Sequence, residues 1–173
     1  MQLRTDSSTR TKRLAAAAMF AALAMIFSYI EFLIPFNIGI PGIKLGLPNL
    51  IIIIALYKMD LKYAFTINIV RILISGLLFT GAFGAVYSLA GGLLSLAVMW
   101  GLKKTNLFSM IGVSMAGGVA HNMGQLLVAS AIVSDLKMFL YFPVLMFSGL
   151  ISGILIGIVA YVLEKKLPAQ LFQ

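Results

Sequence analysis

The chain has 173 residues, 61% of them hydrophobic and 10% charged, with a mean hydropathy of +1.06. A soluble domain carries about a quarter of its residues as charges, so a water-exposed surface is excluded and lipid is the solvent for most of this chain. Its net charge of +8 is read as a topology signal rather than as nucleic-acid binding. No cysteine and a single histidine leave no basis for disulfides, thiolate metal sites or a multi-ligand metal centre.

At about 20 residues per span, this length accommodates six transmembrane helices in one domain. Residues 1–12 form a basic tail. The first apolar segment, Arg13 to Leu33, follows Arg10, Lys12 and Arg13 as a secretory signal would. It is too long for one, and Tyr29-Ile30-Glu31-Phe32 offers no small-residue cleavage site, so a retained helix is expected. Its first half is nearly all alanine. Ala17/Ala21 and Ala18/Ala22 stand four apart, a smooth side suited to internal packing or to docking another membrane subunit.

The breaker-rich but apolar stretch Pro35 to Gly42 is expected to fold back as a loop capping the outer face. A short second segment follows over Leu45 to Tyr57. The others run over Leu61 to Leu78, Ala82 to Gly101, Leu107 to Val133 and Met138 to Leu163. Residues 13–167 make a single six-helix membrane domain, and 168–173 a short cytoplasmic tail.

Orientation follows from the cations. An N-in, C-in bundle places Arg4, Arg10, Lys12, Arg13, Lys58, Lys62, Lys103, Lys104, Lys165 and Lys166 in the cytoplasm. Only Lys44 and Lys137 are then outside, and Arg71 lies within a span. Ten against two satisfies the positive-inside rule and requires an even number of spans. Small residues fill the last three segments, with Gly149, Gly153 and Gly157 spaced for one close-packing face.

Polar side chains inside spans are costly and therefore candidate functional positions. Arg71 and Asn68 share a face of the third segment. His121, Asn122 and Gln125 lie on adjoining faces of the fifth. Lys44 and Asn49 sit at the outer end of the second, and Glu31 closes the first. These groups are expected at one depth, in the outer half of the bilayer, as a pocket open to the exterior requires. Two cations against one acid favour an anionic or amide-rich solute.

No Walker A loop is present, so ATP hydrolysis by that route is excluded. The sequence also lacks an Asp-rich cluster for the magnesium of a prenyl transferase. Neither a cofactor, a metal nor a catalytic residue is expected.

Several motifs carry a resemblance. Pro41-Gly42-Ile43-Lys44-Leu45-Gly46-Leu47-Pro48-Asn49, Asn68 to Arg71, Gly81-Ala82-Phe83-Gly84 with Ser88 and Gly91-Gly92, and His121-Asn122-Met123-Gly124-Gln125 resemble one bacterial membrane family. It is known both as heptaprenyl diphosphate synthase component I and as the Gx transporter family. Pro48 departs from its pattern, where a small residue such as alanine is expected. The first name implies a non-catalytic partner of a soluble prenyl transferase in menaquinone side-chain synthesis. The second agrees with an architectural likeness to the S components of energy-coupling-factor importers. That likeness implies solute binding from outside and an alanine-faced first helix docking on a transmembrane coupling subunit. It also implies two cytoplasmic ATPases as the energy source, and it maps the docking onto Ala17, Ala18, Ala21 and Ala22. A third reading is a scaffold whose polar groups form a closed network.

Overall fold

The computed structural model describes residues 2–34, 45–168 and 172, with side chains described from residue 9 onward. The described residues are helical, with no strand. In chain order the helices are α1 (Gln2–Leu33), α2 (Leu47–Lys58), α3 (Leu61–Ser75), α4 (Gly81–Thr105), α5 (Met110–Val133) and α6 (Phe142–Lys166). A π-helical turn, Gly76–Thr80, joins α3 to α4, and a short 3-10 helix, Leu136–Tyr141, precedes α6.

The helix boundaries have local causes. Pro48 falls in the first turn of α2, where its missing N–H is one of the groups that would lack a partner anyway. It therefore starts the helix rather than kinking it. Asp60 accepts from the Tyr63 N–H to begin α3, and Ser109 from the Gly112 N–H to begin α5. Lysines occupy the last turns of α2, α4 and α6, where they complement the negative end of the helix dipole. Lys103 Nζ also donates to the Leu56 carbonyl at 2.6 Å, and Lys58 pairs with Glu164 at 2.8 Å. These contacts tie the lysine-bearing ends of α2, α4 and α6 together.

The expectation of six spans is corrected. Four helical stretches are long and apolar enough to cross a membrane: Thr9–Leu33, Leu61–Thr105, Met110–Val133 and Leu136–Lys166. α2 has only 12 residues, about 18 Å of helix against a hydrocarbon core of about 30 Å. α3 and α4 are joined through the π turn into one 45-residue stretch, with no loop between them.

That stretch does not run straight. A Cβ at Gly92 would stand 2.9 Å from Asn68 Nδ2, and one at Gly76 would stand 2.7 Å from Ala85 Cβ. Asn68 and Gly92 would be about 36 Å apart on a straight helix, so the stretch doubles back and α3 lies alongside α4. The reversal falls at Gly81, with φ 70° and ψ 176°, a conformation open essentially to glycine.

Two kinds of packing build the interior. Around α2, side chains fill the space: Ile52, Ile53, Ile54, Leu56 and Ile67 are fully buried, against Ala16, Phe20 and Ala24 of α1. Between α4, α5 and α6, backbones touch instead. Gly118 meets Gly149, Gly153 meets Met115, Gly157 meets Ile111, and Gly124 meets Ala90. The Gly149-Gly153-Gly157 face is thus an internal seam between α5 and α6.

Outward-facing apolar side chains, among them Leu14, Ile26, Leu77, Phe83, Phe147 and Ile151, are exposed, as lipid contact requires. At the other end, Arg13 Nε donates to the Phe172 carbonyl at 2.9 Å. The Phe172 ring sits 5.7 Å from that of Phe20. The expected capping loop lies outside the described residues, as does Lys44.

Candidate functional site

A buried polar layer runs across α3, α4 and α5. On α3, Arg71 donates through both Nε (3.1 Å) and Nη2 (2.9 Å) to Asn68 Oδ1. Both residues are buried, at 5% and 1% exposure. The pairing follows from their spacing of three, which puts them on one helix face. Asn68 accepts from the arginine and is left with a buried Nδ2 that has no partner.

Glu31, at the outer end of α1, attracts the Arg71 cation electrostatically. Its carboxylate also accepts from the Gly46 N–H, just before α2. Gly46 has φ 74°, in the left-handed region that glycine adopts without penalty. One acid thus links α1, the start of α2 and the arginine of α3.

The glycine pair of α4 sets the distance to α5. Gly92 faces Asn68 and Ile72. A Cβ at Gly91 would stand 2.8 Å from the His121 carbonyl, 3.0 Å from Gln125 Cγ and 3.1 Å from His121 Cε1. Two adjacent positions without side chains therefore let one helix backbone pass between the Arg71–Asn68 pair and the His121–Gln125 pair. Gln125 is buried and His121 half-buried. Asn122 takes another direction: its Nδ2 donates to the Leu145 carbonyl at 2.7 Å, fastening α5 to α6.

Asn49 does not join this layer. It lines a crevice with Gly46, Ser95, Ser114, Gly117 and Ser152, whose free space is about 10 Å³, roughly what one water molecule needs. Ser95 Oγ is buried there without a hydrogen-bond partner. The three serines are not among the site residues expected from sequence. Serines interleaved with glycine read as packing positions, and only the crevice distinguishes them.

The alanine face of α1 divides. Ala17 is buried in the core and Ala21 half-buried, whereas Ala18 and Ala22 are exposed. Of the four expected docking positions, those two remain on the surface. Among the described residues, no group of three or more His, Cys, Asp or Glu is placed to hold a metal ion.

Four long apolar helices and a buried polar layer between them define a multi-pass helical membrane protein. The family model described as heptaprenyl diphosphate synthase component I matches residues 20–163. The chain belongs to that family. Neither the curated proteins nor the solved structures gave a match.

Proposed function

We propose that this chain is a non-enzymatic, solute-binding membrane subunit of an energy-coupling-factor-type importer in the cytoplasmic membrane. Its solute is a small anionic or amide-rich molecule. The observation that carries this reading is the Arg71–Asn68 pair, a buried cation and a buried amide with an unused donor. Such groups are expensive inside a membrane protein unless they serve a ligand or pathway. His121 and Gln125 stand across Gly91 from them, and Lys44 and Asn49 complete the set proposed to contact solute. Asn122 contributes by holding α5 against α6.

In this reading both ends of the chain lie in the cytoplasm, which the contact of Arg13 with Phe172 supports. The exposed Ala18 and Ala22 of α1 serve the transmembrane coupling subunit, through which cytoplasmic ATPases act.

The test is native mass spectrometry of protein released gently from its own membranes. A retained small molecule, absent from Arg71→Ala and His121→Ala proteins that still fold, is the expected result. Identical retention in both variants would remove the pocket assignment. The family's description favours a second reading, a non-catalytic membrane component of polyprenyl diphosphate synthesis. A bound prenyl transferase with no small molecule would favour it over transport.

A further inference from the structure

Three serines of the glycine seam have no part in the function proposed above. Ser95 of α4, Ser114 of α5 and Ser152 of α6 line one crevice together with Asn49 of α2. Each of four helices thus brings a single polar side chain to the same place. Ser95 is 1% exposed and Ser114 5%, so bulk solvent serves neither hydroxyl.

Ser95 Oγ is buried and finds no hydrogen-bond partner within the protein. In native folds nearly every buried polar group is matched by protein or by ordered water, and an unmatched one is costly. Ser152 donates to the Gly149 carbonyl at 3.3 Å, which leaves its oxygen able to accept from a second partner. Asn49, in the first turn of α2, carries both a donor and an acceptor.

Size and charge select the missing partner. The free space of about 10 Å³ is what one water needs and too little for a solute. Gly117 preserves it: a Cβ there would stand 3.2 Å from Ser95 Oγ and 2.7 Å from Met99 Sδ. No Asp or Glu is among the lining residues, so a cation has no counter-charge. An anion would compete with the Glu31 carboxylate, which already accepts from the Gly46 N–H. Water is neutral, fits, and both donates and accepts. We infer that the crevice holds one structural water, bridging the Ser95 and Ser114 hydroxyls and reaching Asn49 and Ser152. It joins the start of α2 to the α4–α5–α6 seam by polar contact, which holds helices together in lipid. The other end of α2 is held directly, by Lys103 on the Leu56 carbonyl and by the Lys58–Glu164 pair. A helix too short to cross the membrane is thereby fastened at both ends, whether or not the protein binds a solute.

The experiment has two readouts on the full chain in detergent. The first is the thermal unfolding midpoint. If Ser95 Oγ truly lacked a partner, Ser95→Ala would leave the midpoint unchanged or raise it. With a bridging water it lowers the midpoint by about 2–4 °C, the effect of one lost hydrogen bond in a chain of this size. Ser114→Ala also lowers it, and the double variant loses less than the sum, because both hydroxyls serve one water. The second readout is brief X-ray irradiation in heavy-oxygen water, where radicals formed from bound water oxidise the side chains beside it. Met99 is 2% exposed and lines the crevice, whereas Met110 is 6% exposed and does not. Mass spectrometry should find Met99 labelled several-fold faster than Met110 despite its deeper burial.

A midpoint that holds or rises in Ser95→Ala would overturn the inference. So would strict additivity of the two serine variants, or labelling of Met99 no faster than that of Met110.

Discussion

The two halves of the bundle solve the same packing problem in opposite ways. Around α2, branched side chains from three helices interlock, and Ile53 and Ala55 have no exposed surface. Between α4, α5 and α6, glycines bring backbones into contact, and Asn122 adds a hydrogen bond to the Leu145 carbonyl. Lipid tails are as apolar as leucine, so burial drives helix association weakly in a membrane and close contact matters more. The side-chain half can adjust to small changes of shape, because rotamers can move. The backbone half cannot, because a contact between two main chains has nothing to rearrange.

The largest expected effect tests that rigidity. A Cβ at Gly149 would stand 2.8 Å from the Gly118 carbonyl oxygen and 2.9 Å from its carbon. Gly149→Val should therefore exceed the usual overpacking cost of about 1–3 kcal/mol and remove the monodisperse folded peak on size-exclusion chromatography. In the other half, Ile53→Ala should cost about 2–5 kcal/mol and Ile53→Leu less than about 1.5 kcal/mol, read as unfolding midpoints in detergent. Comparable losses for Gly149→Val and Ile53→Leu would erase the distinction between the halves.

Gly81→Ala separates strain from crowding. No atom lies within 4 Å of an added Cβ there, yet φ is 70°, so the cost should be about 1–3 kcal/mol from backbone conformation alone. The smallest effect belongs to Lys58 and Glu164, partly exposed at the lysine-bearing ends. A double-mutant cycle should give about 0.2–1 kcal/mol, falling as salt is raised.

Helix identity was legible because apolar runs and lysine punctuation report the solvent directly. The internal use of Gly149, Gly153 and Gly157 was legible because small residues at that spacing have few other uses in lipid. The number of spanning stretches was not. α3 and α4 join through a π turn, Gly76–Thr80, with no polar loop between them, and a 12-residue helix looks like a span with ragged ends.

Site residues divided along a similar line. Arg71 and Asn68 meet because their spacing demands it. The direction taken by Asn122 is invisible in sequence, since an amide that binds a carbonyl and one that binds a ligand have the same composition. Ser95 was overlooked because its significance lies in what does not touch it.

The contact between Arg13 and the Phe172 carbonyl spans 159 positions in the chain. Synthesis delivers the N-terminal part first, so α1 enters the membrane long before Phe172 leaves the ribosome. Until then the side of α1 around Phe20 lacks the ring that finally rests against it. α1 is thus made early and finished late, and loss of Phe172 would leave every helix in place with that joint open.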